Sequence, residues 1–413
     1  MSIFKTYQNK TGQLFIVCLM LALMPAFQGL MSVVLLLLIL NVAYSIFTRK
    51  AINPFSSRLL RWSLMLSVIY ILGSIGSRHP DRTSFEVIQK SSVALMGILL
   101  IAGNLNHPGL QFQAKRIFIL SNILALLYCL LFGAYKVLQI GEPEYLFYTK
   151  LSVFLHPGYF AMYLSLCFAF LIDDLKRKEK LLGYSSLNWI ALIIIAVGIY
   201  LLASKSGILT ALAIILIFAI RAVKHSVNLR KSILVAALSF IALIITFSLI
   251  PSKSNRIRTI FSDFTSVKEK KDYQLNTTGQ RILIWRAASE VIENNFWIGT
   301  GVGNENFEMD RIFEREGQNF LLEKKPNAHN QFLQVFMALG VSGFLFFCAY
   351  LLIPVYYSIK RKDIILLSFA IIVILNALTE STFNRQAGVL FWAVWAFILI
   401  DGNEALTDSN KKS

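Results

Sequence analysis

"LMSVVLLLLILNVAYSIF", Leu30 to Phe47, runs for eighteen residues without a charge. A helix needs about twenty mostly apolar residues to cross the hydrocarbon core of a bilayer. "SILVAALSFIALIITFSLI", Ser232 to Ile250, repeats the pattern. Twelve runs of this kind are expected to be spans: 13–25, 28–47, 59–77, 87–103, 117–137, 151–172, 188–203, 206–223, 232–250, 331–358, 363–379 and 386–401. The 413-residue chain is 56% hydrophobic and 15% charged, which is too apolar for a soluble domain. The expected fold class is therefore all-α and polytopic, with about 12 transmembrane helices. A β-barrel would alternate polar and apolar residues over roughly ten-residue strands, and these runs do not.

The first run leads straight into the second without a small-residue cleavage site, so it reads as a span and not a cleaved signal. Cys18, Cys129, Cys167 and Cys348 all fall inside apolar runs. They read as small core residues, with no disulfide framework or metal site implied.

The net charge of +17 could point to nucleic acid, but its distribution argues for topology. With the N-terminus in the cytoplasm, 21 of the 40 Lys and Arg fall in inner segments, among them Arg58, Arg61, Lys115, Arg116, Lys360 and Arg361. Seven fall in the short outer loops. The positive-inside rule then places both termini in the cytoplasm and 251–329 outside. The chain divides into spans one to nine (1–250), a long outer loop (251–329), and spans ten to twelve with a tail (330–413). Asp173 and Asp174 read as a solvated helix end on the inner side.

The outer loop contains "GQRILIWRAASEVIENN", Gly279 to Asn295, in which Ile282, Trp285, Ala288 and Ile292 recur at helical spacing. Trp285 and the nearby basic residues suit a helix lying at a membrane interface. A turn-rich piece, "WIGTGVGNENF", follows.

This topology gathers His156, Lys205, Arg281, Arg286, His329, Glu380 and Arg385 at the outer ends of spans or in the outer loop. The spans themselves are nearly free of charge, with Glu86 and Lys90 the closest approach to a buried polar path. Lys205 reads either as an interfacial lysine that snorkels outward or as a fixed cation beside a helix N-terminus, where it would bind phosphate. Arg281 and Arg286 read either as solvated charges or as guanidinium partners of the same anion. Asn327 is expected to cap the next helix, which would place His329 in its first turn. A positive charge is disfavoured there, so the imidazole would be available to accept a proton. Alternatively, His329 only hydrogen-bonds headgroups or backbone. His156 precedes a proline suited to a first helical turn and reads as structural. Glu380 and Arg385 flank a short turn, where they could pair with each other or with the basic rim. No Walker loop, HExxH, cysteine metal motif or outer acidic pair is present, so outer-face phosphate chemistry would fall to fixed cations.

Three blocks together resemble the superfamily of O-antigen ligases and Wzy-type O-antigen polymerases. "SKSGILTALAIILI" (204–217) is similar to its Ser-Arg-Gly turn. "TGQRILIWRAASEVIENNFWIGTGVGNENF" (278–307) is similar to its arginine–tryptophan helix and glycine-rich turn. "AHNQFLQVFMALGVSGFLFF" (328–347) is similar to its His-Asn block. The resemblance covers about residues 200–350. It implies a GT-C-like membrane fold and an inverting, metal-independent transfer without cofactor. The donor would be a glycan on undecaprenyl diphosphate, and the setting the outer face of the bacterial inner membrane. By motif position it implies His329 as the catalytic base and Lys205 and Arg281 as diphosphate ligands. Apart from the resemblance, Arg286, Asn330, His156, Glu380 and Arg385 are candidates to support them from their place on the outer side. Lys205 departs from the family arginine, keeping the charge but losing the planar two-pronged fit.

The acceptor implied is lipid A–core for a ligase, or a second lipid-linked glycan for a polymerase. A polysaccharide transporter is the alternative of another class. It would bind near the bilayer midplane and would not require cations clustered on one face.

Overall fold

The computed structural model describes residues 2–48, 53–103, 109–225 and 277–409. The span expected at 232–250 and loop residues 251–276 lie outside them. The described residues are helical, without a strand. In chain order the helices are α1 (Ser2–Leu23), α2 (Met31–Phe47), α3 (Arg58–Gly73), α4 (Pro80–Ala102), α5 (Leu110–Ile140) and the single turn α6 (Tyr148–Leu151). Then come α7 (Pro157–Arg177), α8 (Ser185–Leu201), α9 (Lys205–His225), α10 (Thr277–Asn294) and α11 (Glu305–Arg315). The chain ends with α12 (Asn319–Lys324), α13 (Gln331–Arg361), α14 (Ile364–Thr379) and α15 (Gln386–Ser409).

Among the described residues, α2, α4, α5, α7, α9 and α13 are long and apolar enough to cross a membrane. Shorter apolar stretches lie in α1, α8, α14 and α15. This is the architecture expected of a multi-pass membrane protein. The run expected to span at 59–77 is α3, which stops at Gly73.

Two helices form the centre. Every residue from Pro157 to Leu171 in α7 is buried, and so is every residue from Ala387 to Ile400 in α15. The apolar outer faces of α2, α5 and α8 (Leu36, Leu131 and Ile193 among them) stay exposed, as lipid-facing surface would. Helices in lipid are held by close packing and buried hydrogen bonds more than by the hydrophobic effect. Accordingly, Gly207 of α9 sits against Ala161 of α7, and one turn further in the Ser165 and Thr210 hydroxyls bond at 2.9 Å. Trp392 donates to the Tyr350 hydroxyl at 2.7 Å, and that hydroxyl also meets Ser63 at 2.9 Å.

Asp173 and Asp174 are not a solvated helix end. Both are buried: Asp174 pairs with Lys115, and Asp173 accepts from Arg177 Nε at 2.7 Å. Each has a basic partner, because a buried carboxylate needs one.

The amphipathic helix also packs differently from expectation. The buried face of α10 is Ile284, Ala287, Ala288 and Val291, an i, i+3, i+4, i+7 stripe. With Met309, Ile312 and Phe313 of α11, Leu321 of α12, and Ala328 and Met337, it builds a second small core. Trp285 is no free membrane anchor, since its indole N–H donates to the Ala328 carbonyl at 2.9 Å.

The second core is tied to the bundle where α13 breaks. Gly340 departs from helical geometry (φ 65°, ψ −167°), and the glycine-rich turn fills the gap. Thr300 and Gly301 donate their amides to the Met337 and Ala338 carbonyls at 2.8 and 3.1 Å. Val341 donates to Phe296 at 2.9 Å, and Val302 to Gly73 at the end of α3 at 2.9 Å. A Cβ on Gly299 would lie 2.5 Å from the Gly340 nitrogen, so the two backbones can meet only as glycines. The glycine turn and the His-Asn block, two of the recognisable stretches of sequence, are thus one structural joint.

Candidate active site

The site lies at the end of the bundle where α4, α7, α9, α13 and α15 begin. Its centre is residues 327–330, which precede α13. Asn330, not Asn327, caps that helix: its Oδ1 accepts from the Phe332 and Leu333 amides at 2.9 and 3.2 Å. Asn327 accepts from the His329 amide at 3.0 Å in a local turn. His329 therefore stands one residue before the cap and outside the first helical turn. Its φ of +45° is left-handed, a conformation that costs a non-glycine residue on the order of 1 kcal/mol or more.

Four side chains hold it there. Besides the two asparagines, Trp285 binds the Ala328 carbonyl, and Gln334 Oε1 accepts from the Ala328 amide at 3.2 Å. Gln334 is anchored in turn, donating to Glu305 at 2.9 Å and Asn306 at 3.1 Å. Burial, then the charge of Glu86, push the Glu305 carboxyl up to about 7.

His329 Nδ1 lies 3.2 Å from Glu380 Oε2, and Arg281 Nη2 donates to Glu380 Oε1 at 2.6 Å. With the Nδ1 proton directed at the carboxylate, Nε2 is left with a free lone pair. Burial alone would raise the Glu380 carboxyl. The His329 hydrogen bond and the Arg281 charge outweigh it and hold the group below the ordinary carboxylate range. Glu380 therefore pairs with Arg281 and His329, not with Arg385.

His156 caps α7, its Nδ1 accepting from the Gly158 amide at 3.3 Å. Burial depresses its pKa despite the nearby Glu380, which favours the neutral ring. This structural role was expected, but His156 also faces the site.

A cavity of about 970 Å³ opens beside these groups. Its polar end is His156, Asn327, His329, Glu380, Asn384 and Arg385. Its remaining wall is largely apolar, from Leu35 of α2, Ile88 and Met96 of α4, Phe154, and Leu390 of α15.

The other expected site residues fall as follows. Arg281 reaches the site through Glu380. Arg286 does not: its side chain is 71% exposed and pairs with Glu316 at 3.5 Å. Lys205 begins α9 at the same end of the bundle, half-buried and flanked by hydrogen-bonded Ser204 and Ser206, but is not among the lining residues of the cavity.

Sequence reading missed the network beneath the site. Lys90 of α4 is 2% exposed and pairs with Glu86. Lys90 also donates to Asn384 Oδ1 at 2.7 Å, and Asn384 donates to Glu86 Oε1 at 2.6 Å. The i, i+4 spacing of Glu86 and Lys90 was a visible signal, but it is equally that of an ordinary exposed helix pair.

A polytopic helical bundle with a histidine–carboxylate–guanidinium array at the head of an apolar cavity has the makings of a membrane enzyme acting on a lipid-borne substrate. Residues 190–348 match a family model described as O-antigen ligase. The match includes Lys205, Arg281 and His329; His156, Glu380 and Arg385 lie outside it. No curated protein matches the chain significantly.

Proposed function

We propose that this protein is a membrane glycosyltransferase of the O-antigen ligase type. In this reading it sits in the bacterial inner membrane with both termini cytoplasmic and the site on the periplasmic face. It takes a glycan from undecaprenyl diphosphate and passes it, with inversion, to an acceptor hydroxyl on lipid A–core. The observation that carries the reading is the His329–Glu380–Arg281 array at the polar end of a cavity whose other wall is apolar. The apolar part suits a polyprenyl chain, and the polar end suits its diphosphate and first sugar.

In the proposed step, the acceptor oxygen attacks the anomeric carbon while its proton passes to His329 Nε2. The bond from the anomeric carbon to the diphosphate oxygen breaks, and its electron pair leaves with the diphosphate. Glu380 holds the imidazole and offsets the positive charge it gains. General-base assistance of this kind contributes about 10²–10⁴-fold in rate. Lys205 and Arg385 supply fixed positive charge where the diphosphate becomes more negative, a role that needs no metal ion, while Arg281 acts through Glu380.

The convergence of the charged groups on one end of the bundle favours an enzyme over a transporter, which would line a path between leaflets. The test is reconstitution of purified protein with an undecaprenyl-diphosphate-linked glycan, with and without lipid A–core, in EDTA. Product on lipid A–core is expected. A ladder of longer lipid-linked chains would identify a polymerase instead. His329→Ala should slow transfer by about 10²–10⁴-fold with the melting temperature unchanged, and normal transfer by that variant would refute the base assignment.

A further inference from the structure

We propose that Arg385 is the guanidinium that contacts the diphosphate of the lipid-linked donor, and that the buried Glu86–Lys90 pair sets its position through Asn384. The inference rests on the donor proposed above. It assigns the anion contact to a residue outside the segment that matches the family, and gives Arg281 a positioning role.

Arg281 is already committed. Its Nη2 lies 2.6 Å from Glu380 Oε1, and Glu380 in turn holds His329. Turning Arg281 toward a diphosphate would release the carboxylate that orients the base. Arg286 faces Glu316. Arg385, by contrast, lines the cavity itself, beside His156 and Tyr159. Among the described residues it has no carboxylate partner, so its charge is available to a ligand. Gln386 and Ala387, next in the chain, also line the cavity, and the apolar wall continues from there along α15 through Val389, Leu390 and Ala393. A polyprenyl chain on that wall would bring its diphosphate to Arg385.

The backbone at this point is unusually well held. Asn384 receives Lys90 Nζ at 2.7 Å and gives a hydrogen bond to Glu86 Oε1 at 2.6 Å. Gln331 Nε2 reaches the same Asn384 oxygen at 3.3 Å, while Gln331 Oε1 accepts from the Phe383 amide at 2.7 Å. The turn between α14 and α15 is thereby pinned to α4 and α13. A buried ion pair is seldom a net source of stability, because its desolvation offsets its attraction. Fixing a guanidinium at the cavity mouth gives this one a function.

The test is binding of undecaprenyl diphosphate, the leaving group itself, followed by tryptophan fluorescence of the purified full chain in detergent. Undecaprenol serves as the phosphate-free comparison. Arg385→Ala should weaken undecaprenyl diphosphate binding by about tenfold or more, the effect of losing a charge-assisted contact. Arg385→Lys should recover part of it, and undecaprenol binding should not change. Arg281→Ala should leave diphosphate binding within threefold while slowing transfer. The paired change Glu86→Leu with Lys90→Met removes both charges together and should reproduce the Arg385→Ala loss, raising the donor KM more than it lowers kcat. If that pair does not fold, Asn384→Ala makes the same test. Lys150→Ala, in an exposed pair with Glu142, is the control. Arg385→Ala binding within threefold of wild type, or a larger loss from Arg281→Ala, would overturn the assignment. Wild type that binds undecaprenol as well as its diphosphate would instead overturn the donor reading.

Discussion

Replacing Glu380 by Gln keeps the shape of the side chain and removes its charge. If His329 is the base, it becomes an imidazolium 3.2 Å from the Glu380 carboxylate as the acceptor proton arrives. At that distance the attraction is about 1.3 kcal/mol in a water-like medium and about 5 kcal/mol at an effective dielectric of 20. The His329 side chain is 34% exposed and that of Glu380 13%, so solvent screens part of it. Arg281 already neutralises part of the carboxylate charge. A loss of about 2–3 kcal/mol follows, or roughly 30–160-fold in rate. The assay is steady-state transfer with donor and acceptor both saturating. The loss should appear in kcat, with the donor KM nearly constant, because the charge develops only during reaction. In a His329→Ala background the same change should have no further effect, since the two groups act as a unit. A Glu380→Gln kcat within threefold of wild type would refute the reasoning. So would an equal loss in both backgrounds.

Two further predictions concern the frame that holds the site. Gly299→Ala, at φ +78° with its Cβ 2.5 Å from the Gly340 nitrogen, should cost about 3 kcal/mol or more and lower the melting temperature and transfer together. Gly317→Ala, at φ +68° with open space around it, should cost only about 1 kcal/mol, and equal effects would show that the α13 joint is not tight. Glu305, with its carboxyl raised to about 7, binds more protons folded than unfolded between its ordinary value and that figure. Its contribution is therefore full in acid and lost as pH rises toward 7, by about 3 kcal/mol at most. Glu305→Gln should flatten the fall in melting temperature between pH 5 and pH 8, and an unchanged slope would rule Glu305 out as its source.

Much of the frame was readable in the sequence, because membrane spans announce themselves by length and apolarity alone. The α7 start at His156-Pro157 was also readable, since a proline in the first turn leaves little choice. The local geometry of His329 was not. Asn327 and Asn330 are equally good caps by residue type, and spacing cannot choose between them. The choice is made by tertiary contacts: Trp285 on the Ala328 carbonyl and Gln334 on the Ala328 amide. Those contacts put His329 in a left-handed conformation that no periodicity signals. The same blindness misassigned the apolar face of α10. Ile282, Trp285 and Ile292 fit a helical stripe as well as Ile284, Ala287 and Val291 do, and only the partner helices decide which is buried.

The pairing of Glu380 shows where such reading must fail in a membrane enzyme. Arg385 is five residues away and Arg281 ninety-nine, so proximity in sequence favours the wrong partner. The turn after α14 carries one charge toward His329 and leaves the other at the cavity. It does so because Asn384, between them, is held below by Glu86 and Lys90. A carboxylate held by His329 and Arg281 and a guanidinium without a carboxylate partner among the described residues need opposite surroundings, yet both line one cavity. Seven residues from Thr379 to Arg385 can provide both only if the backbone is fixed between them. The buried Glu86–Lys90 pair beneath the turn holds it there through Asn384, which ties two charged residues of α4 to the chemistry proposed above them.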